Sequence, residues 1–542
     1  MKVFLCNLAW LLSCIPGWLR FAVDLRFPRA AQKRRLRALL RANRDTAWGR
    51  RHGFASIRGQ SDWSRVPPSR YEDYREEIAR AAAGEPGRLT AAPLLALEPT
   101  SGSGGATKLI PYTAALRFEF QAAIDPWIAR LYFARPRLLF GKHYWSVSPS
   151  TPCPPPEGCS VPVGFPADAD YLGPLQRRLA ACLFPVPSRI AAVRNQEAWL
   201  FLTLLFLVRE REMRLISIWH PSLLEVFAEG FRRERLRLGA AVRSGRLPGG
   251  LRLPDDINTW LEGRLSPDED RARLIEQATG DGVAGLAALW PNLQVISCWD
   301  RGRAAAAAAA LRSALPGVMV EGKGLLATEG VVTIPWTGGA HVAALSSHVL
   351  EFEEVANGRA LALADLAEGA TYGVLLTTGG GLYRYRLGDL VRCTGFCART
   401  PTLEFVSRQG GCCDLVGEKL TPEMAERTLR RLEEPGPLTF ALIAPEPDGH
   451  GYTLFVEDPF ARSTQTLGTL LEAALCESYH YAHARRLGQL RPVRVRPVTN
   501  GMARYRAELL RRGIKTGDLK AAPLDAVNSW EGVFGAGVEA AP

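Results

Sequence analysis

Apolar residues crowd the start of the chain, where VFLCNLAWLLSCIPGWL follows a single basic residue, Lys2, as the apolar middle of a signal peptide follows its basic start. No small-residue cleavage site comes after it, and Asn7, Pro16 and Arg20 interrupt it short of the roughly 18–20 clean apolar residues of a spanning helix. A docked N-terminal helix, an interfacial membrane anchor and a secretory signal are the open assignments, and the flanks favour the docked helix. Between positions 31 and 80 apolar residues recur every three or four positions, as in QKRRLRALLRANRDTAW, and predict helices. After a loop through Val66, Pro67 and Pro68, SRYEDYREEIARAAAG predicts one helix capped by Ser69 and closed by Gly84. LLALEPTSGSGGATKLIPYT then reads as a strand, a glycine-rich loop and a second extended stretch.

Further on, the proline-rich stretch 148–164 is a loop, and EAWLFLTLLFLVRE (197–210) is a buried core helix or strand. The alanine run over 304–310 is a strong helix former. From GLLATEGVVTIPW to GLYRYRLGDLVRCTGF, β-branched and aromatic residues punctuated by Gly predict strands. Past Arg408, EKLTPEMAERTLRRL predicts a helix, PLTFALIAPE and YTLFVED predict strands, and a long helix starts at Thr466. The pattern is α/β: a large N-terminal domain of mixed sheets and helices over 1–410, a hinge near 408–420, and a smaller α+β domain over 411–542.

A chain of 542 residues exceeds one ordinary core. Its 47% hydrophobic and 23% charged residues are those of a globular protein. The net charge of +12 attracts anions, but no nucleic-acid recognition motif accompanies it, so nucleic acid is not an expected partner. Eleven cysteines, two of them adjacent at Cys412 and Cys413, without paired CxxC spacing, point to reduced thiols in a cytoplasmic protein.

The segment EPTSGSGGATK (98–108) carries the strongest chemical signal. Glycines directly after a strand let backbone N–H groups and hydroxyls approach phosphate oxygens, and Lys108 adds a point charge. It is not a Walker loop, because Leu109 follows Lys108. Alone, such a loop is most often a structural turn.

TSGSGGATK resembles the first phosphate-binding motif of the adenylate-forming enzymes, TSGSTGxPK, and its continuation KLIPYT resembles the Gretchen Hagen (auxin-responsive) family of acyl acid amido synthetases. ATEG (327–330) resembles that family's second motif and GLYRYRLGDLVRCTGF (381–396) its third. VGEKLTPE (416–423) resembles the hinge segment, and TGDLKAAPL (516–524) the C-terminal lysine motif. The likeness also takes in RANRDTAWGRRHGF and ALWPNLQVISCW, so it spans nearly the whole chain.

The resemblance implies a large N-terminal domain and a mobile C-terminal lid with ATP, Mg²⁺ and a carboxylic acid between them. Thr100, Ser101, Gly102, Ser103 and Lys108 would hold the triphosphate. Thr328 and Glu329 would sit by the α-phosphate, with Glu329 holding Mg²⁺. Asp389 would accept both ribose hydroxyls, with Tyr385 beside the nucleotide and Arg408 near the hinge. Lys419 would act in the closed lid, and Lys520 would stabilise charge during adenylation, with Lys515 as its rival. The implied reaction forms an acyl-AMP and passes the acyl group to an amine, in particular an amino acid. A thiol acceptor (coenzyme A or a carrier protein) and a non-catalytic nucleotide-binding protein are the alternatives. A monomer with possible peripheral membrane contact through the N-terminal helix is expected.

The chain departs from the family pattern in carrying Leu325 and Leu326 where an aromatic residue usually meets adenine, and Asp518 where the plant enzymes have Gln. Residues from Phe118 to Tyr144 and from Trp219 to Leu224 would line the acyl pocket. Arg117, Arg130 and Arg135 are candidates to pair with a carboxylate, or belong to a solvated helix face. His143, His220 and His341 read better as core or surface residues than as general bases.

Overall fold

The structure is a computed structural model that describes the chain apart from residues 101–107, 148–154, 157, 166–172, 302–303, 409–412, 414, 416–417, 419, 449, 487–489, 513–521, 526–529 and 536–542. It divides into two compact units, one of Met1–Thr100 and Thr107–Val406, the other of Ser407–Ile514 and Leu519–Pro542.

In the first unit, helix α1 (Lys2–Asp24) lies against α2 (Ala114–Ala134) and α3 (Pro174–Leu183). Trp10, Leu11 and Cys14 of α1 pack among Ile124, Trp127, Ile128 and Leu131 of α2 in one core, each large side chain contributing roughly 1.5–3 kcal/mol by burial. Asn7, fully buried, donates to the carbonyls of Leu138, Leu139 and Gly141 and accepts from the Tyr132 hydroxyl at 2.6 Å. The inner face of α1 is therefore part of the fold. The apolar stretch that follows α3 forms α4 (Gln196–Arg209), a helix buried almost all round, and α5 (Ser222–Ser244) packs on it.

Strands β1 (Leu94–Thr100) and β2 (Lys108–Thr113) form an antiparallel hairpin whose last pair is Thr100 with Lys108, so the glycine-rich loop joins two paired strands. A parallel sheet follows in sequence order: β3 (Lys142–Trp145), β4 (Met213–Ser217), β5 (Val295–Cys298) and β6 (Met319–Gly322). A short hairpin of β7 (Leu326–Ala327) and β8 (Gly330–Val331) carries the turn Thr328–Glu329. Seven strands then make one sheet: β9 (Thr333–Pro335), β10 (His341–Ala343), β11 (Val349–Glu354), β12 (Ala360–Ala362), β13 (Thr371–Thr377), β14 (Tyr385–Cys397) and β15 (Thr400–Arg408). Their spatial order is β12-β11-β13-β14-β15-β10-β9.

The second unit has a three-stranded sheet of β16 (Phe440–Pro445), β17 (Tyr452–Glu457) and β18 (Arg494–Pro497), with β17 and β18 parallel. Helices α6 (Pro422–Arg430) and α7 (Thr464–Leu475) share a core with this sheet. Thr421 caps α6 by accepting from the Met424 N–H, so this helix starts later than its Glu-Lys-Leu prefix suggests. The helix expected from Thr466 starts two residues earlier, capped by Ser463, and is only 12 residues long.

One local expectation fails. Ser69 caps nothing; its hydroxyl donates to the Tyr383 carbonyl and lies 2.7 Å from the Tyr74 hydroxyl. The segment after it is a 3₁₀ turn, Tyr71–Tyr74, followed by the helix Arg75–Ala82. Long-range hydrogen bonds have overridden the capping preference of an isolated serine.

Candidate active site

The candidate site in the first unit grows from β14. The Tyr74 hydroxyl accepts from the Tyr383 N–H, and the Tyr383 hydroxyl donates to the Leu89 carbonyl. Arg384 follows with φ of +49° and is 2% exposed. Its guanidinium pairs with Glu351 at 3.1 Å and donates to the carbonyls of Ser64 and Val66. Backbone bonds on both sides of Ser69 to Arg384 and Arg386 then fix the start of the strand. Ahead of it, two glycines let the end of β2 and the start of α2 come close: a Cβ on Gly379 would meet the Ala115 Cβ at 2.7 Å, and one on Gly380 the Pro111 oxygen at 2.6 Å.

Held this way, Tyr385 is fully buried with its hydroxyl 3.4 Å from the Lys108 ammonium and 3.5 Å from a Glu329 carboxylate oxygen. The Lys108 ammonium also lies 5.7 Å from the centre of the Tyr71 ring and 6.0 Å from that of Tyr385, within cation–π range. Tyr71 is anchored in turn, its hydroxyl accepting the Leu109 N–H at 2.8 Å. Three residues from separate segments, Lys108, Glu329 and Tyr385, thus converge. Glu329 is 4% exposed, in a turn whose neighbour Gly330 packs against His348. His348 is held by Glu119, which also binds Arg35 and the Gly379 N–H.

Asp389 lies on the same strand, 6% exposed. Gly373 of β13 pairs with Leu390, and Leu375 with Arg386, so a step of two residues on β13 matches four on β14. That bulge, with Gly388 at φ of +84°, re-aims the strand at Asp389, as bulges beside binding sites do. Thr328 precedes Glu329 in the β7–β8 turn, and Leu325 and Leu326 beside it are half-buried. Thr100 ends β1 opposite Lys108 and Arg408 ends β15, but their side chains, and Ser101, Gly102, Ser103, Lys419, Lys515 and Lys520 altogether, lie outside the described residues.

A second cluster was missed by motif reading. It forms at the carboxyl ends of β4, β5 and β6, where ligands of parallel sheets bind. Lys323, directly after β6, is 9% exposed and donates to the Ser217 hydroxyl at 2.5 Å. Its ammonium lies 5.0 Å from the Trp219 ring centre and 5.6 Å from that of Trp127, while Trp219 and Trp299 rings are 5.5 Å apart. Trp127 and Trp219 fall within the expected pocket segments; Lys323 and Trp299 do not. The only advance sign was a lysine between two glycines shortly before ATEG. Phe118, expected at the pocket's edge, is 66% exposed. Arg130 is no solvated residue, since it pairs with Glu321, which also accepts from the Trp127 indole at 3.0 Å.

Of the three histidines, His143 is enclosed beside Trp10 and Tyr132, and burial pushes its pKa down to about 4. Burial also lowers His341, with Asp300 pulling the other way. His220 shares a short contact with Ser222 at 2.7 Å.

A single buried carboxylate is a suitable donor set for Mg²⁺ of a bound nucleotide, because Mg²⁺ takes one or two carboxylates and completes its shell with phosphate oxygens and water. Glu329 has that character, and among the described residues no group of three or more His, Cys, Asp or Glu offers an all-protein cage.

Three family models match in order along the chain: the GH3 family N-terminal domain over 20–320, the GH3 family central domain over 342–408 and the GH3 family C-terminal domain over 426–524. Among curated proteins, the chain is 28% identical over 405 residues to the indole-3-acetic acid-amido synthetase GH3.15 of Arabidopsis thaliana, covering 69% of this chain and 67% of that one. It is 29% identical over 178 residues to the GH3 domain-containing protein of Homo sapiens, covering 31% and 34% respectively. Among solved structures, the GH3.15 acyl acid amido synthetase superposes with a TM-score of 0.79 at 22% identity, over 96% of this chain and 95% of that one. That likeness speaks for the fold.

Proposed function

We infer that this chain, which belongs to the GH3 family, is an ATP-dependent acid–amine ligase that makes an acyl-AMP and passes the acyl group to an amine of the amino-acid type. The observation that carries the reading is the convergence of Lys108, Glu329 and Tyr385 from three segments far apart in sequence. A carboxylate oxygen is a poor leaving group, and adenylation replaces it with AMP, releasing pyrophosphate. Lys108 meets phosphate charge, the Tyr385 hydroxyl holds the lysine and Glu329 in register, and Asp389 accepts the ribose hydroxyls. Mg²⁺ held by Glu329 would supply charge neutralisation at the phosphate oxygens. Ser101, Gly102, Ser103, Thr100 and Thr328 complete the phosphate cradle. Arg408 and Lys419 serve the turn toward a C-terminal lid, whose Lys520 acts on the reacting carboxylate. We place the enzyme in the cytoplasm as a monomer with peripheral membrane contact, where ATP is supplied.

The test is pyrophosphate exchange into ATP by the purified chain, which should depend on added acid, with hydroxylamine trapping to find the acid. AMP release with a free amine and none with coenzyme A is the expected result. Release with coenzyme A alone would make this a thiol ligase. Silence across aryl, indolyl and fatty acids would leave a nucleotide-binding protein.

Two substitutions separate the parts of the site. Asp389→Ala removes an ionised acceptor worth roughly 1.5–3 kcal/mol to hydroxyl donors. Titration calorimetry should show ATP affinity falling by about 10- to 100-fold in a folded protein, and an unchanged affinity would remove Asp389 from the nucleotide site. Lys323, among Trp127 and Trp219 of the expected acyl pocket, is the cation placed to meet the acid's carboxylate. Lys323→Met should therefore lower kcat/KM for the acid by roughly 10- to 100-fold, the worth of one charge-assisted bond, with KM for ATP unchanged. An equal effect on both substrates would place Lys323 outside the acid pocket.

A further inference from the structure

The outer side of α1 carries none of the residues assigned to the ligase chemistry. Leu5, Leu12 and Leu19, seven residues apart and so nearly in line on a helix, are 54%, 57% and 53% exposed, and Val23 continues the stripe at 56%. Beside one edge stand Phe133 and Phe140, 47% and 57% exposed, which pack on Trp18 and Phe4 of α1 with ring centres 5.1 and 5.2 Å apart. Along the other edge an open groove of ≈ 380 Å³ runs between Leu5 and Leu179 of α3, and Leu175 of α3 is 53% exposed. A contiguous apolar surface of this kind is rare on a soluble monomer and marks an interaction site.

The charges around it select the partner. Lys2 and Arg20 are eighteen residues apart, five helical turns, so both sit on the same edge of the stripe and both are exposed. Arg26, Arg135, Arg137 and Arg178 are exposed on the chain segments that flank the face. The one acid of α1, Asp24, is 4% exposed and engaged by Arg34 at 2.8 Å. An apolar stripe with aromatic shoulders and a cationic rim fits the boundary between acyl chains and anionic headgroups of a bilayer.

We propose that the outer face of α1 docks the enzyme on an anionic membrane surface, with the helix lying in the plane of the interface. The 23-residue helix is long enough to span. Spanning would strip Asn7 of its four hydrogen bonds and carry Asn7 and Asp24 into hydrocarbon, whereas lying flat keeps the whole inner face in its core. Docking rests on the surface alone and is independent of the acid and amine that the site uses.

The experiment is flotation of the full chain with phosphatidylcholine vesicles and with phosphatidylcholine–phosphatidylserine vesicles, alongside sedimentation velocity in their absence. Binding should favour the anionic vesicles and weaken with salt. The variant Leu5→Gln/Leu12→Gln/Leu19→Gln, altered only at exposed positions, should lose vesicle binding more than tenfold while keeping ATP affinity and monomeric sedimentation. Lys2→Gln/Arg20→Gln should lose roughly 30-fold on anionic vesicles, at about fivefold per charge, and little on neutral ones. A dimer in solution that the leucine variant dissolves would make the face a contact between copies of the chain and overturn the proposal. Wild-type protein that ignores both vesicles, or that resists alkaline extraction from a membrane, would overturn it too. None of these outcomes bears on pyrophosphate exchange, so the ligase reading stands or falls separately.

Discussion

Arg384→Met is expected to destabilise the protein by about 3–5 kcal/mol, the cost of breaking a buried ion pair from one side. Arg384 and Glu351 are 2% exposed each, and the guanidinium also satisfies the Ser64 and Val66 carbonyls. Without it, Glu351 keeps the Trp63 indole and the Gln60 amide as donors among the described residues. Burial already raises the Glu351 pKa above its usual value against the pull of Arg384, and the substitution removes that pull. A carboxyl with a raised folded-state pKa binds its proton more tightly when folded, so the stability it gives is present below its unfolded pKa and lost as pH rises. The deficit of Arg384→Met should accordingly be largest at neutral pH and shrink in acid. Chemical denaturation at several pH values measures this. Glu351→Gln combined with Arg384→Met should recover much of the loss, since the stranded charge is gone. A deficit that grows in acid, or a double variant worse than the sum of its parts, would show that the pair is not what holds this strand start.

Much of this arrangement could be read from local pattern. The strands on either side of the glycine-rich loop and the β-rich stretch ending in β15 follow from periodicity and punctuation, because each reports a face within a few residues of itself. The burial of α4 was legible but its choice of helix over strand was not, since a segment apolar all round shows no face. What the chain does with Ser69 could not be read this way. Its hydroxyl answers the Tyr383 carbonyl, 314 residues on, and the local rule for a serine ahead of a helix gave a cap instead. Lys323 was hidden for the same reason: its neighbours Ser217, Trp219 and Trp127 come from other segments and carry no common spacing. The order of motifs placed Lys108, Glu329, Tyr385 and Asp389 in one family pattern, yet the Tyr385 hydroxyl standing between lysine and carboxylate is a fact of the folded chain. Helix α1 is a different case. It is apolar on both sides, so hydropathy alone could not tell the face that meets Trp127 from the face that meets solvent.

Lys520→Ala is expected to slow acyl-AMP formation by on the order of 10²–10³, the usual cost of removing one preorganised charge from a reacting centre. The expectation comes from the C-terminal motif TGDLKAAPL, in which an ammonium at position 520 would meet the carboxylate and α-phosphate as negative charge gathers between them. In a water-excluded site that interaction is worth far more than in solvent. ATP should still bind, because Lys108, Tyr385 and Asp389 belong to the first unit, where the Tyr385 hydroxyl lies between Lys108 and Glu329. Amide formation from supplied acyl-AMP should be nearly unaffected, since the extra charge that builds between the attacking carboxylate and the α-phosphate exists only while the bond to pyrophosphate is breaking, and the second step breaks a different bond. Measuring the two half-reactions separately therefore reads the role of one lysine in one step. Lys515→Ala is the control, five residues earlier, and should leave both half-reactions close to wild type. If the two variants exchanged behaviour, Lys515 would be the adenylation lysine and the motif would be shifted by those five residues. If both retained full pyrophosphate exchange, the carboxylate would be met by a group of the first unit, and Lys323, already close to Ser217 and the tryptophans, would be the residue to substitute next.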